Sequence, residues 1–131
     1  MADDLHLATP VYVRVLRVLA EIRDAFLEMM SAESRLGEEV NANMDISHIE
    51  EQLKAGAYDR ASSENLVGFS VSVIMRLQHP SRTDKMLQEW RVVGKAMRDA
   101  SESDQARKFC DALKFILDCV GRMRIDAAND R

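Results

Sequence analysis

Cysteine and histidine are the side chains of this chain best suited to metal binding or covalent chemistry, and their spacing argues against both. Cys110 and Cys119 are nine residues apart in a strongly helical segment, which puts them on opposite faces and about 13 Å apart along the axis. They are too far apart to form a disulfide. His6, His48 and His79 occur singly, so no group has metal-ligand spacing. We expect two buried free thiols, no metal and no cofactor.

Paired acids are the other candidates for catalysis. Glu38-Glu39 and Glu50-Glu51 are adjacent carboxylates on expected solvent faces, where no apolar surrounding would raise a pKa for general acid or base work. The sequence has no glycine-rich phosphate loop, no nucleophile elbow and no zinc-protease motif. It therefore predicts a protein that is not an enzyme.

One group of cations on a single predicted helix is a candidate partner-binding site. This group, called the basic flank here, is formed by Arg91, Lys95 and Arg98. Glu89 and Asp99 interrupt the positive charge, and the neighbouring Trp90 is expected on the inner face of the helix. A solvated helix surface is the competing interpretation of the same residues.

Composition predicts one intracellular helical domain. The chain has 131 residues, 47% of them hydrophobic, enough for one substantial core but not for two. We expect a flexible N-terminus over residues 1–8 and a single domain over 9–131. No apolar run approaches the roughly 18 residues of a membrane span, and no secretion signal is visible, so we expect a cytoplasmic protein. The net charge of −4 argues against nucleic acid as a partner.

Apolar residues recur every three or four positions along most of the chain, which predicts an all-α fold. We expect a single compact bundle of about six helices, over residues 10–30, 32–42, 46–55, 63–78, 81–98 and 104–128. The first, fourth and last should be central. Phe69–Val73 also alternates like a strand, but a lone strand would leave its backbone groups without partners, so we predict a helix there.

Capping residues predict where these helices begin. Asp45 is expected to N-cap the third helix, which Gly56 would end. Ser31 is expected to start the second helix, and Ser81 with Asp84 the fifth. The segment between the third and fourth helices should be a loop.

Three glycines lie inside predicted helices. Gly68, Gly94 and Gly121 each cost roughly 1 kcal/mol relative to alanine. We expect close helix crossings at these positions.

Residues 44–58 resemble the opening of the second helix of a bromodomain. The resemblance rests on Met44-Asp45-Ile46-Ser47, Ile49, Leu53, Gly56 and Tyr58. A bromodomain has a Pro- and Tyr-rich loop before that helix, but residues 29–43 contain neither residue. His79 is nearest to the place of the Asn that binds acetyl-lysine. The alternative function is therefore a degenerate bromodomain-like acetyl-lysine reader.

A second resemblance covers nearly the whole chain, which is similar to the T-complex protein 11 family in the order and spacing of several elements. These elements are Leu16–Met30, Arg35-Leu36 with Val40, Met44–Asp59, Leu77 with Pro80, Arg82 and Asp84, and Met123–Asn129. The resemblance implies an all-helical, non-enzymatic family, associated with sperm maturation and motility and with cyclic-AMP and protein kinase A signalling. Family members are usually several times longer, so the chain would correspond to the N-terminal portion.

The family resemblance supplies no catalytic or ligand residues. Arg82, Asp84, Asp126 and Asn129 match the family pattern, and we expect them to cap helices and to form salt bridges between helices. The expected function is a protein-interaction or scaffold module with a protein partner. The wide apolar arcs of the first and last helices also permit a homo-oligomer.

Overall fold

Helices account for nearly all of the residues that the computed structural model describes, which are 9–31, 33–55 and 59–129, with side chains from Val13 onward in the first helix. The six α-helices are α1 Thr9–Glu28, α2 Arg35–Asn43, α3 Ile46–Lys54, α4 Arg60–Leu77, α5 Thr83–Asp99 and α6 Gln105–Asn129. Short 3-10 turns, Pro80–Arg82 and Glu102–Asp104, precede α5 and α6. No strand occurs within these ranges. The predicted all-α bundle of about six helices is confirmed.

The α1 helix buries an apolar seam with helical spacing. Val15, Leu19, Ile22 and Phe26 are almost completely buried, as the spacing predicts. Ala25 widens the buried surface on one side. Because this surface exceeds the stripe that one neighbour can cover, α1 packs against α2, α3 and α6.

The α6 helix occupies the middle of the bundle. It packs against α1, α4 and α5, while α4 also packs against α2 and α5. Phe109, Ile116 and Val120 of α6 are at most 1% exposed and belong to the same core cluster as Phe26 of α1 and Ile74 of α4. The predicted central position of the first, fourth and last helices agrees with this packing.

The ambiguous segment Phe69–Val73 is helical and lies inside α4. Ser70 is 1% exposed, and its hydroxyl donates to the carbonyl of Leu66 at 3.0 Å. Ser63 is equally buried and donates to the carbonyl of Arg60 at 2.9 Å. These bonds satisfy the hydroxyls, so polar residues with a strand-like alternation are accommodated inside a core helix.

Two helix starts differ from the predictions, because other residues provide the cap. The second helix begins at Arg35, where Ser34, not Ser31, accepts from the backbone N–H of Gly37 at 3.0 Å. The fourth helix begins at Arg60, because the Asp59 carboxylate accepts from the N–H of Ser62 at 2.9 Å. The predicted loop is therefore too long by three residues.

The remaining cap predictions have different outcomes. Asp45 accepts from the N–H of His48 at 3.1 Å and caps α3 as expected, whereas Gly56 lies outside the described residues. The prediction that Ser81 and Asp84 start α5 is wrong. His79 caps the 3-10 turn by accepting from the N–H of Ser81, and α5 continues from that turn without a side-chain cap.

The expected close helix crossings at three glycines are wrong. A Cβ added to Gly68 or Gly121 would meet no neighbouring atom within 4 Å. At Gly94 it would lie 3.2 Å from Trp90 Cζ2 and 3.2 Å from Arg98 Nη1, both on the same helix. Gly94 therefore accommodates side chains of its own helix.

The domain assignment stays a prediction. Residues 1–8, expected to be flexible, lie outside the described part of the chain. No described helix is long and apolar enough to cross a membrane.

Candidate functional site

The basic flank is an exposed surface of α5. Arg91, Lys95 and Arg98 are all exposed. Lys95 donates to the carboxylate of Asp99 one turn later, which also lowers the pKa of Asp99. Within the described ranges, no carboxylate forms an ion pair with Arg91 or Arg98. The three predicted residues thus lie together on α5, and the charge of Arg98 adds to the effect of Lys95 in lowering the pKa of Asp99.

Trp90 packs inward, as the helical spacing predicts. Its indole stacks on Phe115 of α6, with ring centroids 6.2 Å apart and planes at 18°. The position of Gly94 on the next turn gives the indole the space it occupies. Trp90 therefore joins α5 to α6 and is only partly exposed beside the basic flank.

The C-terminal end of the basic flank is fixed by Arg60, which the sequence analysis did not identify. Its guanidinium donates to the backbone carbonyls of Arg98 at 2.7 Å and of Ala100. These are carbonyls that the end of α5 leaves without helical partners. Arg60 thus attaches the start of α4 to the end of α5, and positions the backbone that carries Arg98.

Both cysteines are free thiols, as predicted. Cys119 is buried, whereas Cys110 is only partly buried, which differs from the expected burial of both. Burial raises the pKa of each thiol, so thiolate, the reactive form, is disfavoured. Among the residues from 9 to 129 that are described, no three His, Cys, Asp or Glu side chains come together as metal ligands.

A second polar region forms where the 3-10 turn Pro80–Arg82 meets the end of α6. Arg82 donates from Nε to Asp126 Oδ2 at 2.7 Å and from Nη2 to Asp126 Oδ1 at 2.8 Å. These bonds lower the pKa of Asp126. Of the four residues that match the family pattern, these two form the expected salt bridge between elements, whereas Asp84 and Asn129 are exposed.

Two further ion pairs in this region were not predicted. Arg122 of α6 contacts Glu89 of α5 at 3.3 Å, and Arg124 of α6 contacts Glu28 of α1 at 2.9 Å. Their partners are far apart in the sequence, so helical spacing carries no signal for them. Together with Arg82 and Asp126 they lie around the last turns of α6.

Comparison with known proteins identifies one family. A family model described as T-complex protein 11 matches residues 1–131, which is the whole chain. No curated protein and no solved structure matches it. Because the family match extends over every helix described above, the chain belongs to the T-complex protein 11 family.

Proposed function

We propose that this chain is a non-enzymatic protein-interaction module that binds an acidic surface of a protein partner through the basic flank. The observation that carries the proposal is the exposure of Arg91 and Arg98 without an ion-paired carboxylate among the described residues. Membership in the T-complex protein 11 family supports a helical module. Its setting, on this proposal, is cytoplasmic cyclic-AMP and protein kinase A signalling or sperm and flagellar function.

Arginine is well suited to this role. Its planar guanidinium forms two parallel hydrogen bonds to one carboxylate, and it is more weakly hydrated than the lysine ammonium. Arg91 and Arg98 are seven residues apart on one helix, about 10 Å along the axis. Two carboxylates at that separation on a partner helix or loop would match them.

The test replaces both arginines and leaves the helix intact. Arg91→Glu/Arg98→Glu reverses two charges at exposed positions, and Arg17→Glu/Arg35→Glu makes the same change at exposed positions of α1 and α2. Affinity capture from the native cell with mass spectrometry identifies proteins that wild type and control retain. Titration of the purified partner should then show binding weakened at least about tenfold by the flank variant, and weakened by salt in the wild type.

Equal partner binding by the two double variants would overturn the proposed role of the basic flank. Circular dichroism of both variants provides the folding control, because neither replaces a buried residue.

The bromodomain-like alternative has its own test. In the structure, His79 accepts from the backbone N–H of Ser81 through Nδ1, so that nitrogen is already occupied in a turn. We expect no acetyl-dependent binding when acetylated and unmodified histone peptides are titrated into the protein. Micromolar binding that requires the acetyl group would replace the interaction-module proposal with an acetyl-lysine reader.

A homo-oligomer stays a prediction. The groove beside α1 and α6, lined by Val15, Val18, Leu113 and Leu117, is the apolar surface that a second copy would cover. Sedimentation at several protein concentrations tests it, since a dimer shows a concentration-dependent mass.

A further inference from the structure

A cleft lies beside the last turns of α6, and none of its lining residues belongs to the basic flank. It has a volume of about 310 Å³ and lies between the 3-10 turn Pro80–Arg82, the first turns of α5 and the last turns of α6. Met86, which is 2% exposed, lies at its base. Polar side chains from three elements therefore surround one concave space.

Among the described residues that line this cleft, positive charges outnumber negative ones. Arg82, Lys85 and Arg122 are the cations, and Asp126 and Glu89 are the described carboxylates. Asp126 accepts two hydrogen bonds from Arg82, and Glu89 accepts one from Arg122 at 3.3 Å. No acidic side chain of the described ranges forms an ion pair with Lys85, which is exposed. Within the described part of the chain, Lys85 is thus the lining cation without an ion-paired carboxylate.

The ion pairs also fix the orientation of guanidinium N–H groups that do not take part in them. Arg82 contacts Asp126 through Nε and Nη2, which leaves Nη1 for another acceptor. Arg122 uses Nη2 for Glu89 and for the sulfur of Cys119. Because these contacts hold each guanidinium in place, little conformational entropy is lost when a ligand accepts from the remaining N–H groups.

The imidazole of His79 also lines the cleft. Its Nδ1 accepts from the backbone N–H of Ser81 at 3.1 Å, which leaves Nε2 as the ring nitrogen that can face a ligand. Asn129 also lines the cleft and supplies an amide donor.

From these contacts we propose that the cleft binds a phosphate monoester, with Lys85 supplying the unneutralised charge and Arg82, Arg122 and His79 supplying hydrogen-bond donors. A phosphoryl group has about −1.5 to −2 charges and three acceptor oxygens, which suits donors that converge from several directions. The phosphate can be carried by a phosphorylated protein segment or by a small phosphorylated molecule. This site is separate from the basic flank, so either proposal can fail alone.

The first experiment titrates phenyl phosphate into isotope-labelled protein by NMR, at about pH 7.5, where the phosphate is mostly dianionic. Ionic strength is held constant with sodium chloride, because screening alone changes exposed charges. Phenyl sulfate, of similar shape but with one charge, is the matched control ligand. We expect saturable shifts at Ser81, Lys85 and Asn129 with phenyl phosphate, and weaker binding of phenyl sulfate.

The second experiment uses variants of Lys85, which makes no ion pair with a described side chain and whose loss should leave the fold unchanged. Lys85→Ala should weaken binding about tenfold, as expected for a hydrogen bond to a charged group, and Lys85→Arg should retain it. Lys114→Ala, at an exposed position of α6 outside the cleft, should bind like wild type.

The outcomes separate the two sources of phosphate. Tighter binding of a phosphoserine peptide than of phenyl phosphate supports the site and assigns it to a protein segment, whereas equal or weaker binding supports the site and assigns it to a small molecule. Shifts that do not saturate, shifts confined to Arg91 and Arg98, or equal affinities of the Lys85→Ala and Lys114→Ala variants would each overturn the proposal.

Discussion

Helices α5 and α6 pack against each other but differ in how many of their residues are buried. The α6 helix has nine buried residues among 25, whereas α5 has only three among 17, Met86, Gly94 and Met97. One side of α5 carries the basic flank and another side borders the cleft. In this bundle the central helix therefore supplies stability, and its outer neighbour presents charge to solvent.

The largest expected effect comes from removing a buried side chain of α6. Ile116 is fully buried, so Ile116→Ala should lower the free energy of unfolding by about 2–5 kcal/mol, through lost burial and the cavity left behind. The measurement is urea unfolding followed by circular dichroism.

The control for this change is an apolar residue on the outer side of α5. Val92 is 72% exposed, and Val92→Ala should change stability by no more than about 0.5 kcal/mol. A large loss of stability in Val92→Ala would contradict the assignment of this side of α5 to the solvent, because it would mean that the outer face of α5 is covered in solution.

A smaller effect is expected from glycine replacement in the two helices. Gly121→Ala in α6 should stabilise the protein by up to about 1 kcal/mol, because alanine favours the helix and its methyl group meets no atom within 4 Å. Gly94→Ala in α5 should gain less or lose stability. Its methyl group would be 3.2 Å from Trp90 Cζ2, and the indole is stacked on Phe115.

Thermal unfolding of the two glycine variants measures the difference. Equal stabilisation by both variants would show that Trp90 moves without cost, and would contradict its role in joining α5 to α6.

The smallest expected effect concerns the salt bridge that links the turn before α5 to the end of α6. Hydrogen bonds from Arg82 hold the pKa of Asp126 below its ordinary value of 3.8. The folded state therefore binds fewer protons than the unfolded state in acid, so the stabilisation is complete above that value and is lost as pH falls through the lowered pKa. Asp126→Asn should destabilise only slightly at neutral pH, because both side chains of the pair remain partly accessible to solvent.

Unfolding measured at several pH values checks this sign. The difference between wild type and Asp126→Asn should be largest near neutral pH and should shrink below about pH 3.8. A difference that grows in acid would contradict the assigned role of Arg82.

Much of the helical core was predictable because local spacing determines it. The 3,4 spacing of Val15, Leu19, Ile22 and Phe26 predicted a buried face without knowledge of the neighbours, and all four are buried. The cap at Asp45 was predictable because the capping bond joins residues three apart, Asp45 and His48. The grouping of the basic flank followed from helical geometry in the same way.

The errors occurred where several local candidates compete. Ser31 and Ser34 can both cap a helix, and only the latter accepts from a helix N–H. Ser81 looked like the cap of α5, but His79 before Pro80 forms a 3-10 turn first. The glycine prediction failed because the neighbour of Gly94 is a side chain of its own helix.

The sequence by itself determined the helical character of the chain, the apolar faces of the helices and the position of the basic flank, since each depends on interactions within a few residues. Only the tertiary structure decided that Arg82 meets Asp126, that Arg60 holds the end of α5, and that a cleft lies at the end of the bundle. These contacts join residues 38 to 44 positions apart. Their formation depends on how the apolar faces orient the helices, because the polar residues themselves have no local pattern that specifies a partner.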